Sequence, residues 1–290
     1  MKYMFIKTNT DKFNIRRMCK VLGVKSGSYY AWIRRPESER KQEKTILITK
    51  IQEVHKTSKG LYGSPKIYKA LKAQNIRCSE NRIAKLMQEN AIKAIIRKKF
   101  RAKSKVINSS HASENLLKRD FAVQQINTVW VTDITYIPTR LGWMYLCVFM
   151  DLFSRKIVGW SMANHMRTEM VIAALRMACH NRNPDKGLII HSDQGSQYGS
   201  HEFRKVLSTL GIIQSMSGRG NCWDNACAES FFHLLKTELI QFMNYSSYED
   251  AKISIFEYLE VFYNRYRIHS TLGYQSPVDY EMKKSLSRCA

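Results

Sequence analysis

Apolar and polar positions alternate in two different ways along this chain, and the change falls near residue 121. Before it, apolar residues recur at helical spacing, as Ile46, Ile48, Ile51 and Val54 do. The run "IRRMCKVLGVKSGSYYAWIRR" (15–35) predicts two short helices about Gly23 and Ser26–Ser28, the outline of a helix-turn-helix. Its second helix is expected to offer Lys25, Ser26, Ser28, Tyr29 and Tyr30 to a DNA groove; the competing reading is a helical pair with a solvated basic face. A second helical unit runs from about Gln42 to Ala94. It is broken at "SKGLYGSPKI" by Gly60, Gly63 and Pro65, with Ser64 expected to cap one helix and Ser79 the next.

After residue 121 the period shortens to two. "NTVWVTDITYIP", "GWMYLCVFMDLFS" and "RKIVGWSMA" read as three consecutive antiparallel strands. A helix over "RTEMVIAALRMACHNR" follows, then a strand "GLIIHSD", a helix over Glu202–Leu210 and a strand "IIQSM". Two more helices, near Ala228–Ile240 and Tyr248–Tyr266, are expected to close the chain. Three meandering strands followed by helices and strands in alternation is the order of an α/β, RNase H-like domain. The expected division is therefore a helix-turn-helix segment (1–40), a helical DNA-binding domain (41–100), a basic flexible linker (101–120) and an RNase H-like catalytic domain (121–286).

Charge sharpens this division. Of a formal net charge of +23, nearly all lies in residues 1–120, which hold 30 basic and 9 acidic residues; the rest hold 17 and 15. A basic arm ahead of a nearly neutral domain points to a polyanion, with nucleic acid first and a ribosomal or membrane surface as alternatives. Within it, "RKKFRAKSK" supplies Arg97, Lys98, Lys99, Arg101 and Lys103 as candidate phosphate contacts. The seven cysteines include no pair at C-x-x-C spacing, so neither a disulfide framework nor a zinc knuckle is indicated. No signal-peptide pattern and no apolar run of ~18 residues is present, which leads us to expect a cytoplasmic, nucleoid-associated protein without a membrane partner.

Three acidic residues stand out. Asp133 lies inside the first strand, where a carboxylate is costly unless it meets a ligand. Asp193 ends the strand "LIIHSD" at the carboxyl end, where open α/β sheets place their ligands. Glu229 begins a helix on which His233 and Lys236 fall on the same face, Lys236 suiting a DNA phosphate. Singly, each has a structural reading. Asp151, Asp224 and Asn225 read as turn and loop formers, Trp223 as either an aromatic anchor or a base-stacking residue, and His191 as a candidate to position water or phosphate. Arg219, in the same loop as Trp223, is a further candidate DNA contact.

With 35 residues between Asp193 and Glu229, the order Asp133, Asp193, Glu229 resembles the catalytic triad of DDE transposases and retroviral-type integrases. The words "WVTDITYI", "DLFSRKIVGW", "HSDQGSQY", "GNCWDNACAESFFHLLKTE" and "FYNRYRIHSTLGYQSP" resemble the catalytic half of transposases of the insertion sequence three family. "YGSPKI" and "MCKVLGVKSGSYYAW" extend the likeness over nearly the whole chain. The resemblance implies a retroviral integrase-like catalytic domain in which the three carboxylates hold two Mg²⁺ ions, with Mn²⁺ as a substitute, for DNA strand cleavage and transfer. It also implies double-stranded DNA partners (terminal inverted repeats and target), at least a dimer when active, and a fusion to or partnership with an upstream-frame protein. A non-catalytic regulator of transposition and an RNase H-like nuclease without joining activity are the alternatives.

Overall fold

The computed structural model describes residues 1–95, 113–118, 121–218 and 222–289. The expected DNA contacts Arg97, Lys98, Lys99, Arg101, Lys103 and Arg219 lie outside the described residues, as does the side chain of Trp223. By packing, the chain divides into two units, Met1–Glu53 and Val54–Ala290.

The first unit contains α1 (Lys2–Thr8), α2 (Ile15–Val21), α3 (Ser26–Arg34) and most of α4 (Glu39–Thr57). Asn14 caps α2 by accepting from the Arg16 amide at 2.9 Å, and Gly23, at φ +61°, makes the sharp exit toward α3 that a side chain would resist. The helical pair is therefore present, but one of its expected contacts is not where the sequence put it. Tyr29 is fully buried with Ile6, Met18 and Cys19, and Tyr3 and Trp32 pack against the same cluster. Tyr29 is thus a core residue of this unit and not a reader of DNA. Lys25, Ser28 and the neighbouring Tyr30 are exposed. The reason is α1, which the hydrophobic pattern did not resolve as a separate helix. Its Ile6 and Tyr3 provide the surface that draws Tyr29 inward.

The second unit opens with α5 (Ser64–Ala73) and α6 (Glu80–Glu89). Ser79 caps α6 as expected, its hydroxyl accepting from the Arg82 amide at 3.2 Å. Ser64 does not cap α5: Gly63 holds the cap position without a side-chain bond, and Pro65 occupies the first turn, where its missing N–H costs nothing. Ile67, Leu71, Ile83, Leu86 and Met87 are the buried faces of the two helices.

The five-stranded sheet follows. β1 (Val129–Thr139), β2 (Gly142–Asp151) and β3 (Ile157–Ala163) form the antiparallel meander; β4 (Ile189–Ser192) and β5 (Ile213–Met216) add in parallel, giving the order β3-β2-β1-β4-β5. α7 (Thr168–Arg182) and α8 (His201–Leu210) link these strands, and Trp130, Phe149, Val171, Ala174, Leu175, Phe203 and Leu207 lie in one core cluster. α7 packs so tightly on β3 that a Cβ at Gly159 would lie 2.5 Å from the Ala174 carbonyl oxygen and the Ala178 nitrogen. α9 (Ala226–Glu238) and α10 (Tyr248–Phe256) follow, and a π-helical stretch, Glu257–Tyr263, continues α10 with Tyr258, Leu259, Phe262 and Tyr263 buried.

Two parts of the chain depart from expectation. A further helix, α11 (Pro277–Cys289), follows the two that the sequence predicted at the end. Its Glu281 accepts from Arg182 Nη1 and Nη2 at 2.9 and 2.7 Å and from Lys156 at 3.3 Å. Residues 113–118, expected within a flexible linker, are held in place: the Leu116 amide donates to Ser215 Oγ at 2.9 Å, and Leu117 is buried.

Candidate active site

Strand register brings the two aspartates together. β1 and β4 run parallel with Val131 opposite His191. Asp133 and Asp193 each lie two residues further on, so they occupy corresponding places just past the paired stretch, Asp133 midway along β1 and Asp193 directly after β4, on neighbouring strands ~4.8 Å apart. Each carboxylate is steadied locally. Asp133 Oδ1 accepts from the Ile134 amide at 2.7 Å and Asp193 Oδ1 from the Gly195 amide at 3.0 Å.

Two acids placed this way resist ionising together. Burial, then the charge of Asp193, then that of Glu229 push the Asp133 carboxyl well above the usual carboxylate range, and the nearby Lys236 ammonium opposes them. Asp193 is also raised, chiefly by burial. Glu229, in the first turn of α9, is raised by partial burial and by Asp193. Glu229, His233 and Lys236 share one helix face, as their spacing predicts, and line with Asp133 and Tyr136 a cavity of about 420 Å³. The Lys236 ammonium stands 4.8 Å from the Tyr136 ring centroid.

Among the described residues no group of three His, Cys, Asp or Glu side chains is already assembled around a metal position. The arrangement is an interacting Asp133–Asp193 pair with an exposed Glu229 on the cavity rim. The donor chemistry fits a divalent cation. All three are hard oxygen donors, and a cation between them would remove the repulsion that raises Asp133.

The surrounding loops hold this site from below. Asp224 is buried and accepts from the Gly218 amide and from Asn115 Nδ2, both at 2.9 Å. Asn225 donates from Nδ2 to the Thr132 carbonyl at 3.1 Å, tying the entry of α9 to the strand residue before Asp133. The loop-forming reading of both residues left this strand contact unseen, because the partner lies 93 residues away. Asp151, fully buried, accepts from the Asn127 and Ser154 amides at 2.7 and 3.1 Å, a turn-forming role. His191 is fully buried, with Nδ1 2.9 Å from Ser215 Oγ and its pKa pushed down by burial, so it is a neutral packing residue that reaches no open surface.

The integrase core domain family matches residues 123–222 and, through a second family of the same description, residues 229–286; an HTH-like domain family matches residues 41–100. Transposase InsF for insertion sequence IS3A of Escherichia coli (strain K12) is 37% identical over 285 residues, covering 98% of this chain and 99% of its own. The chain belongs to the IS3 family of transposases. A 31 kDa protein of insertion element IS600 from Shigella sonnei is also 37% identical, covering 92% of this chain and 98% of its own. Among solved structures, an intasome of simian T-cell lymphotropic virus aligns at 16% identity and a TM-score of 0.46, covering 79% of this chain and 73% of its own. The HTLV-2 integrase catalytic core in complex with magnesium aligns at 17% and 0.42, covering 53% and 95%. This IS3-family transposase thus carries an integrase core preceded by a helical HTH-like region, as its sequence led us to expect, though the HTH-like match falls on residues 41–100 and not on the 1–40 segment in which the helix-turn-helix was expected. No helix among the described residues is long and apolar enough to cross a membrane.

Proposed function

We propose that this transposase cuts and joins DNA strands with Asp133, Asp193 and Glu229 as its catalytic, metal-binding carboxylates. The observation that carries this reading is the juxtaposition of Asp133, midway along β1, with Asp193, directly after the parallel neighbouring strand β4, with Glu229 lining the same cavity as Asp133. The three would hold two Mg²⁺ ions, or Mn²⁺, which supply activation of an attacking water or 3′-hydroxyl and stabilisation of the departing oxygen.

The chain's own groups have distinct tasks. The Gly195 and Ile134 amides fix the two aspartates in place. Lys236 and His233, on the Glu229 face, meet the phosphate next to the one that reacts, and Lys236 offsets part of the carboxylate charge when that phosphate is absent. Lys25 and Ser28 in the first unit, together with the basic run at Arg97, Lys98, Lys99, Arg101 and Lys103, are further DNA contacts. The DNA is double-stranded, comprising the element's terminal inverted repeats and a target. Working on two ends requires at least two copies of the chain, with the upstream-frame protein as a further partner.

The test is a two-stage assay on duplex carrying the element's terminal repeat. Intact ends are expected to be nicked and pre-cut ends joined to target, both only with Mg²⁺ or Mn²⁺, and EDTA should stop both. Joining that persists in EDTA would overturn the metal-carboxylate reading, and hydrolysis without joining of pre-cut ends would leave a nuclease.

A further inference from the structure

Near the proposed active site two large aromatic rings stand in solvent. Tyr136 and Trp143 are each 53% exposed, although both lie in the β1–β2 hairpin. Their partners across the strands are Tyr145 and Pro138, which places the two rings diagonally on one face of the hairpin. The rings meet edge to face, with centroids 5.0 Å apart and planes at 85°. In that arrangement one ring gives its edge to the other, so both of its own faces are left uncovered by its partner. β4 runs beside β1 only over Val129, Trp130 and Val131, so Tyr136 lies beyond the paired part of that edge. Tyr136 lines the same cavity as Asp133 and Glu229, with the Lys236 ammonium against its ring.

We propose that the Tyr136–Trp143 pair forms a corner for a nucleobase displaced from the duplex beside the phosphodiester that reacts, the base stacking on one ring with its edge toward the other. The inference rests on the reading of Asp133, Asp193 and Glu229 as the catalytic carboxylates, and adds to it what the neighbouring surface binds. An uncovered π-face close to a cation that lies over Tyr136 matches a base and its adjoining phosphate, because every base offers a π-face and aromatic stacking is indifferent to sequence.

The test crosses protein variants with DNA variants, using the full chain and terminal-repeat duplex in which each nucleotide flanking the scissile phosphodiester is replaced, one at a time, by an abasic tetrahydrofuran residue. On unmodified DNA, Tyr136→Ala and Trp143→Ala should each slow nicking about tenfold, while Tyr136→Phe and Trp143→Phe stay within about twofold of the parent. On the duplex lacking the captured base, the alanine variants should match the parent, since the contact they remove no longer exists. Equal losses on abasic and unmodified duplex, or no loss at all, would overturn the proposal. Both residues are half exposed, so the alanine variants should keep the parental thermal midpoint within a few degrees. The underlying assignment fails separately, through an active Asp193→Asn.

Discussion

Asp193→Asn is expected to lower both strand nicking and strand joining by about 10³-fold while leaving DNA affinity within about twofold, since each tenfold in rate corresponds to ~1.4 kcal/mol and a displaced metal forfeits several. The substitution is nearly isosteric, and the amide oxygen can still accept from the Gly195 amide, so the loop after β4 should keep its shape. What disappears is one negative charge beside Asp133. The same removal relieves the repulsion that raises Asp133, so the metal-free variant should be at least as stable as the parent. Rates of nicking and joining, with filter binding on the same preparations, check this. Parental rates in the variant would remove Asp193 from the chemistry, and a loss of folding in place of activity would make it a structural residue. Asp151 is the natural contrast, because its bonds to Asn127 and Ser154 serve a turn, and it faces no open cavity.

Glu238→Gln should have the largest effect on stability, about 3–5 kcal/mol, which for a folding unit of this size corresponds to roughly 10 °C in Tm. Glu238 and Arg267 are both buried and joined by two bonds, Nε to Oε2 at 2.7 Å and Nη2 to Oε1 at 2.8 Å, and Tyr258 donates to the same Oε2 at 2.9 Å. With glutamine the guanidinium keeps its charge in a buried place and loses its counter-ion. Burial and the Arg267 charge already hold the adjacent His269 neutral, its pKa pushed down to about 2, so the histidine cannot share that charge. The double variant Glu238→Leu with Arg267→Met should recover most of the loss, since a buried pair is worth little more than good apolar packing. Thermal unfolding of the three proteins decides it; an unchanged midpoint in Glu238→Gln would show that the pair does not anchor α9. The consequence for function is direct, since α9 carries Glu229 at its start and Glu238 at its end.

The residues that carry the proposed chemistry were legible in the sequence. Only Asp133, an acid in the middle of an apolar strand, breaks a local rule; Asp193 before a glycine turn and Glu229 in a first helical turn sit where acids are ordinarily favoured, and it was the order and spacing of the three within the family resemblance that singled them out. The meander was legible because its alternation spans three long segments. The failures have one physical origin: they depend on partners far away in the chain. Whether Tyr29 or Tyr30 of a nine-residue helix turns inward is decided by Ile6 and Tyr3. α11 was not read from the sequence, and its Glu281 is held by Arg182 99 residues earlier. The Asn225–Thr132 and Glu238–Arg267 contacts leave no trace in spacing, because each joins elements whose proximity exists only after the sheet has formed.

The central claim concerns divalent-cation binding, and Mn²⁺ titration followed by electron paramagnetic resonance tests it most directly. The raised pKa values of Asp133, Asp193 and Glu229 fix the sign of the pH dependence. In the native state these groups keep their protons above the usual carboxylate range, so a cation must displace them, and affinity should rise as pH increases through that higher window and then level. Without metal the sign reverses for folding: the native state binds more protons than the unfolded chain there, so stability falls as pH rises. The account predicts Mn²⁺ binding that weakens at least about tenfold in both Asp133→Asn and Asp193→Asn, and is lost in the double variant. Binding of Mn²⁺ that is unchanged in the double variant would contradict it.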